Sequence, residues 1–259
     1  MNITTLLDKV YFAPRLKKID FYANRAGELQ HRVLDRLVRM AENTEWGKKY
    51  DYKSIHTYED FRNRLPIQTY EEVKPYVERL RAGEQNLLWP SEIRWFAKSS
   101  GTTNDKSKFL PVSKEALNDT HYQGGKDAVA LYLGQNPDSR FFSGQGLILG
   151  GSHSPNLNSR HGLVGDLSAI LIQNIHPLVN CVRVPSKKIA LMSDFEKKIE
   201  AIANSAVSKD VTNLSGVPSW MLVLIKRILE KTGKQSLEEI WPNPVSYTHL
   251  RAHETLRHL

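Results

Sequence analysis

Cysteine is almost absent. Cys181 is the single one in 259 residues, so no internal disulfide can form and the chain reads as a protein of a reducing compartment. No histidine and carboxylate pattern marks Cys181 as a nucleophile, and it reads as an inert, partly buried thiol. Long apolar runs are missing as well. Nothing approaches the roughly 20 residues a membrane-spanning helix needs, and the start Met1-Asn2-Ile3-Thr4-Thr5-Leu6-Leu7-Asp8-Lys9 lacks the apolar stretch of a signal peptide. The expectation is a cytoplasmic protein with no membrane partner. Internal repeats, low-complexity tracts and linkers rich in Pro, Gly and Ser do not occur, and 12 Pro, 15 Gly and 40% hydrophobic residues exclude collagen-like and disordered classes. One or two folded domains fit the length.

Acidic residues are in deficit, 28 against 36 basic ones for a net charge of +8, which invites a nucleic-acid reading. The distribution argues against it. Basic residues are scattered among acids, as in Glu196-Lys197-Lys198-Ile199-Glu200, and solvated helix faces account for most of them. What survives is an attraction for small polyanions.

The last sixteen residues stand apart. Val245-Ser246-Tyr247-Thr248-His249-Leu250-Arg251-Ala252-His253-Glu254-Thr255 is similar to the translation of a transposase-type sequencing adapter in one reading frame. His249, His253 and His258 in it imitate a metal tract. Residues 1–243 are therefore expected to be the natural part, an incomplete N-terminal large domain, and 244–259 a non-native tail.

Within the natural part the first ninety residues read as helical. Ala26, Leu29, Val33, Leu37 and Met40, widened by Leu34 and Val38, predict a long amphipathic helix from about Tyr22 to Glu42 that buries one face. Thr57-Tyr58-Glu59-Asp60 and Thr69-Tyr70-Glu71-Glu72 open two shorter helices, with Pro75 kinking the second or marking its effective start. The aromatics around them, Trp46 to Tyr70, read as core anchors.

From Ile93 the pattern changes. Strands are predicted at Ile93 to Ala97, Leu147 to Leu149, Ala169 to Ile172 and Val211 to Leu214. Helices are predicted from Ser113 to about Tyr132, from Ser193-Asp194 with Phe195, Ile199, Ile202 and Ala206 on one side, and from Pro218 to Gly233. A helix-like segment also runs from Ser236 to Trp241. Strands alternating with helices indicate an α/β fold.

One stretch resists explanation by packing. Ser99-Ser100-Gly101-Thr102-Thr103-Asn104-Asp105-Lys106-Ser107-Lys108 places five hydroxyls, a glycine and two lysines between apolar segments. Hydroxyls and backbone N–H groups donate to phosphate oxygens, glycine permits close backbone approach and lysine adds charge. The stretch does not match the G-x-x-x-x-G-K-[ST] pattern and lies between strand-like segments, which disfavours an ordinary P-loop NTPase. On composition alone a phosphate cradle and a polar hairpin loop stand level.

The stretch resembles the phosphate-binding signature of adenylate-forming enzymes. Trp89-Pro90, Phe96-Ala97-Lys98-Ser99-Ser100-Gly101-Thr102-Thr103, Lys108-Phe109-Leu110-Pro111, Val182-Arg183-Val184-Pro185-Ser186 and Ser215-Gly216-Val217-Pro218-Ser219-Trp220 together resemble the bacterial branch of the Gretchen Hagen three family, the auxin-responsive promoter proteins. Asn104-Asp105 departs from it, standing where glycines are common. The resemblance implies the N-terminal part of the large domain of an adenylate-forming fold, and an acyl acid amido synthetase that joins a small carboxylic acid to an amino acid using ATP and Mg²⁺. It makes Ser99, Ser100, Gly101, Thr102 and Thr103 the loop over the phosphates and Lys108 the catalytic, positively charged residue that ends it; Lys106 is the weaker candidate. It places the acyl substrate near His121, Tyr122, Gly151, Ser152 and His153, while Ser219-Trp220 is expected to serve capping and packing. The family's adenine and ribose segments lie further downstream, so a chain ending here is expected to be truncated and inactive. A non-catalytic module for a phosphorylated ligand or RNA, and an acyl-CoA ligase, are the alternatives.

Overall fold

The computed structural model describes residues 3–99, 108–155, 162–243 and 246–249. Along the chain come α1 (Ile3–Leu7), a π-helical turn (Asp8–Phe12), α2 (Ala13–Asn24), α3 (Ala26–Ala41), α4 (Glu45–Lys49), α5 (Tyr58–Arg64), α6 (Tyr70–Arg81), β1 (Trp95–Lys98) and β2 (Phe109–Val112). A second π-helical segment (Ala116–Tyr122) runs into α7 (Gln123–Gln135), followed by β3 (Gln145–Leu149), β4 (His153–Pro155), β5 (Leu163–Gly165) and α8 (Leu167–Asn174). The remainder is β6 (Arg183–Val184), α9 (Lys187–Ala190), α10 (Phe195–Ala206), β7 (Val211–Gly216), α11 (Pro218–Thr232) and β8 (Ser246–His249). The chain divides into two compact units, one of residues 1–11, 132–153 and 166–259, the other of 12–131 and 154–165.

The unit holding residues 12–131 carries a sheet of order β2-β1-β5-β4. β1 pairs antiparallel with β2, from Trp95↔Val112 to Lys98↔Phe109, and parallel with β5. Phe96, Ile93, Leu80 and Leu87 are its buried centre. The helices start where the caps say. Thr57 and Asp60 form a reciprocal capping box on α5, and Thr69 and Glu72 form one on α6. α6 begins at Tyr70 and carries Pro75 in its interior, so the proline does not set the start.

The other unit is built on a parallel sheet of order β6-β3-β7-β8. Leu147 and Leu149 of β3 and Leu214 of β7 pack with Ile199 and Ile202 of α10 and Met221, Leu224 and Ile228 of α11. Asp194 caps α10, accepting from the Lys197 N–H at 3.0 Å, and Gly233 ends α11 at φ 68°. Trp241 lies 1% exposed in this core and donates its Nε1 to the Ala206 carbonyl at 3.1 Å. Ser246–His249 pairs parallel with β7, Asn213↔Ser246 to Gly216↔His249.

Several expectations need correction. Ala169 to Ile172 is not a strand but the middle of α8, with Ala169, Ile170 and Ile172 buried; a short apolar run satisfies both geometries. The helix expected from Tyr22 to Glu42 is two helices that meet at Arg25. Its apolar stripe is not wholly covered, for Val33 is 46% and Leu37 41% exposed, while Val38 and Ala41 on the adjoining face are buried. The helix after Ser113 opens as a π-helix before α7. Ser236 to Trp241 forms turns rather than a helix. Cys181 is exposed, in a 3-10 turn over Pro177–Val182. Tyr58, expected as an anchor, is 57% exposed, whereas Trp46 is buried.

Candidate functional site

Of the sequence-predicted phosphate residues, Ser99 and Lys108 follow β1 and precede β2. Ser100, Gly101, Thr102 and Thr103, with Lys106, lie outside the described residues. Both ends of the stretch are described and they close on one another. The Ser99 N–H donates to the Lys108 carbonyl at 2.9 Å, and the Lys108 N–H donates to Ser99 Oγ at 3.0 Å. This extends the strand ladder one step past Lys98↔Phe109 and brings the first hydroxyl and the last lysine of the stretch to one place. The Lys108 ammonium lies 5.5 Å from the centre of the Tyr70 ring, a cation–π distance. Tyr70 itself is fixed to the hairpin: its Oη accepts from the Phe109 N–H at 2.9 Å and donates to the Phe109 carbonyl at 3.3 Å. The capping box that starts α6 at Tyr70 thereby positions the lysine that ends the loop.

His121 and Tyr122 end the π-helical segment of this same unit, both half-buried. Burial pushes the Tyr122 hydroxyl up to about 12.

Gly151 and Ser152 belong to the other unit, where the structure does bring predicted residues together. β3 runs out at Gly150-Gly151, and a cavity of about 460 Å³ opens there. Its walls are Gly151, Ser152 and Asp166 on one side, Ser193, Phe195 and Lys198 from α10, and Ser219, Trp220 and Val223 from α11. The Phe195 and Trp220 rings stand 5.6 Å apart at 60°, an aromatic wall. Ser219 and Trp220 therefore line a cavity besides starting a helix. His153 begins β4, half-buried, and is not among the lining residues.

Glycine is required at the bend. A Cβ on Gly151 would lie 2.5 Å from Asp166 Cγ and 2.6 Å from its Cβ, and one on Gly150 would meet Ile172 Cδ1 at 2.8 Å. The space a side chain would take is filled by hydrogen bonds: the Gly151 N–H donates to Ser168 Oγ at 2.9 Å, the Ser152 N–H to Asp166 Oδ2 at 3.1 Å, and the Asp166 N–H to the Ser152 carbonyl at 3.1 Å.

Two side chains in the wall of this cavity escaped sequence reasoning, Asp166 and Lys198. Lys198 is only 3% exposed; its Nζ donates to the carbonyls of Gly151 at 2.9 Å and Gly150 at 3.2 Å. Burial pulls its pKa down, opposed by the Asp166 charge. A signal was present: position 198 falls three after Phe195 and four before Ile202, on the apolar face of α10 rather than the solvated one. Among the described residues no cluster of three or more His, Cys, Asp or Glu side chains is placed to hold a metal ion, and no helix is long and apolar enough to cross a membrane.

Comparison with known proteins gives a family and a fold. A sequence-family model described as "GH3 family N-terminal domain" matches residues 15–249. Similar proteins include an indole-3-acetic acid-amido synthetase of Arabidopsis thaliana, GH3.2, 30% identical over 103 residues covering 39% of this chain and 19% of that protein. Jasmonoyl--L-amino acid synthetase JAR4 of Nicotiana attenuata is 26% identical over 106 residues, 40% of this chain and 18% of that protein. Among solved structures, GH3.15 acyl acid amido synthetase superposes with a TM-score of 0.68 at 20% identity, covering 83% of this chain and 38% of that one. AtGH3.15 in complex with 2,4-DB gives 0.65 at 19% identity, covering 84% and 42%. The matched parts thus span about a fifth of those two curated relatives and about two fifths of these structures. The fold is the α/β fold of these acyl acid amido synthetases, over their N-terminal part.

Proposed function

Because the chain belongs to the GH3, or Gretchen Hagen three, family, we propose that it is part of an ATP-dependent acyl acid amido synthetase, and that the Ser99 to Lys108 stretch cradles the nucleotide phosphates. The observation that carries this is the closed mouth of the hairpin, where Ser99 and Lys108 are locked to one another at 2.9 and 3.0 Å at the two ends of a run of hydroxyls. In the reaction a carboxylate oxygen attacks the α-phosphorus of ATP and pyrophosphate leaves. An amine nitrogen then attacks the carbonyl carbon of the acyl-adenylate, AMP leaves with the bonding pair, and the amine gives up a proton. Lys108 supplies positive charge where negative charge gathers during the first step, and the hydroxyls with the backbone N–H groups orient the phosphates. Mg²⁺ would share that neutralisation; the described residues hold no ligand cluster for it.

The acyl acid is assigned to the cavity at the end of β3. Its volume of about 460 Å³ suits a small acid, and the Phe195–Trp220 wall suits an apolar or flat body. An amino acid as the amine is supported by the relatives, which include a jasmonoyl--L-amino acid synthetase. A place in the bacterial branch rests on the resemblance of the motifs quoted from the sequence, and a cytoplasmic setting is part of the same proposal.

The test is made in a full-length protein carrying this hairpin. Lys108→Ala is expected to lower carboxylate-dependent pyrophosphate exchange by roughly 10²-fold or more, with Ser100→Ala and Thr102→Ala smaller, and amide formation falling in parallel. Exchange at the unsubstituted rate with only amide formation reduced would move Lys108 to the acceptor step and end the cradle assignment. Offering coenzyme A in place of amino acids separates this reading from an acyl-CoA ligase.

A further inference from the structure

Lys198 is costly where it stands. At 3% exposure its ammonium has left water, and none of the described carboxylates forms an ion pair with it; two of its three N–H groups are taken by neutral carbonyls, those of Gly150 and Gly151. Removing a charge from water with no carboxylate in ion-pair contact, the Asp166 charge acting only across space, is among the more expensive acts of folding. Packing alone does not call for it, since leucine or methionine would fill the same face of α10 beside Ile199 and Ile202. The side chain also lines the cavity, so its third N–H has an open volume to serve. Asp166, the one acid among the described lining residues, is turned to the Ser152 N–H at 3.1 Å.

We propose that Lys198 is the carboxylate-recognising residue of this cavity: it pins the Gly150-Gly151 bend with two N–H groups and offers the third to the anionic head of the acyl acid, whose body rests on Phe195 and Trp220. This rests on the acyl-cavity reading above and adds the residue that selects an acid over its neutral isostere. A buried cation already held by two carbonyls is preorganised, so the acid meets a fixed charge at no cost in side-chain ordering. Charge-assisted hydrogen bonds of this kind are worth about ten- to a hundredfold in affinity.

The test titrates the 259-residue chain, Lys198→Met and Lys198→Arg with benzoate and indole-3-acetate and with the neutral amides benzamide and indole-3-acetamide, by calorimetry, with thermal unfolding recorded for each variant. The unsubstituted chain is expected to bind at least one acid about tenfold or more tighter than its amide. Lys198→Met is expected to lose that preference while keeping the amide affinity, and Lys198→Arg to retain part of it. An undiminished preference in folded Lys198→Met, or no acid preference in the unsubstituted chain, overturns the proposal. Should Lys198→Met fail to fold, the ¹³Cε resonance of Lys198 in the unsubstituted chain decides: it shifts with the acid and not with the amide, and a resonance unmoved by saturating acid overturns the assignment. Pyrophosphate exchange in a full-length protein is scored separately. Acid recognition through Lys198 without exchange removes the adenylation reading and leaves this one, and exchange with acid binding indifferent to Lys198 does the reverse.

Discussion

Gly151→Ala isolates the geometry at the end of β3. A built Cβ stands 2.5 and 2.6 Å from Cγ and Cβ of Asp166, where ordinary contacts begin near about 3.4 Å. The carboxylate end of Asp166 can swing away into solvent, but its Cβ is fixed to the backbone ahead of α8, so rotation alone does not relieve the clash. The bend must open by several tenths of an ångström, and the Ser152 N–H loses Asp166 Oδ2, now at 3.1 Å. Overpacking of this kind costs about 1–3 kcal/mol; the lost bond lies at an exposed side chain and adds little, so about 2 kcal/mol is expected by urea unfolding. Asp166→Gly removes every Asp166 atom the new methyl would meet. In that background Gly151→Ala is expected to cost under about 0.5 kcal/mol, a coupling of about 1.5 kcal/mol between the two positions. Equal costs in the two backgrounds would refute the reasoning, as would a Gly151→Ala chain as stable as the unsubstituted one.

Arg15 grips Asp127 bidentately, with its Nη2 donating to Oδ2 at 2.8 Å, and this hydrogen bonding holds the Asp127 carboxyl below its ordinary pKa. The stability it gives is present above the unfolded value near about 4 and is lost as pH falls through the lower folded value. Asp127→Asn should therefore cost about 1 kcal/mol at pH 7 and close to nothing at the acid end, read by urea unfolding across pH. A chain ending at Asn243 is expected to match the thermal stability of the full 259 residues. A clear drop in Tm would assign the strand Ser246–His249, which pairs with β7, to the fold.

Local signals were the legible ones. Thr57, Thr69 and Asp194 cap helices because a side-chain oxygen three residues ahead of an orphan N–H acts within one turn, and Gly233 ends α11 for an equally local reason. The run Ala169 to Ile172 carried no such mark, and only its burial among neighbours distant in sequence makes it helical. The stripe of α3 was correctly periodic, yet periodicity cannot say how much of a face is covered, and Val33 and Leu37 remain open. At the site, Gly151 and Ser152 entered through the family resemblance, and the structure places them at the end of β3 in the wall of the cavity. Lys198 was not legible, because its charge assigned it to solvent while its phase on α10 assigned it to the core. The polar stretch was legible only as a segment between strand-like runs, with a cradle and a hairpin loop level; the pairing that closes on Ser99 and Lys108 joins residues nine apart and carries no mark in either of them.

The π-helical segment Ala116–Tyr122, where the Gln123 N–H reaches back to the Asn118 carbonyl, is what a helix looks like when it has absorbed one residue too many. The extra residue is taken up as a wider turn, leaving the faces on either side in their old orientation. Such a turn is a reservoir for length change. Losing one residue between Ala116 and Tyr122 tightens the turn to an ordinary α-helix, while the same loss inside α10 or α11 rotates every core side chain beyond it by about 100°. Between otherwise similar sequences, gaps should therefore gather at this segment, and an alignment that forces it to run gap-free will pair His121 and Tyr122 with the wrong neighbours.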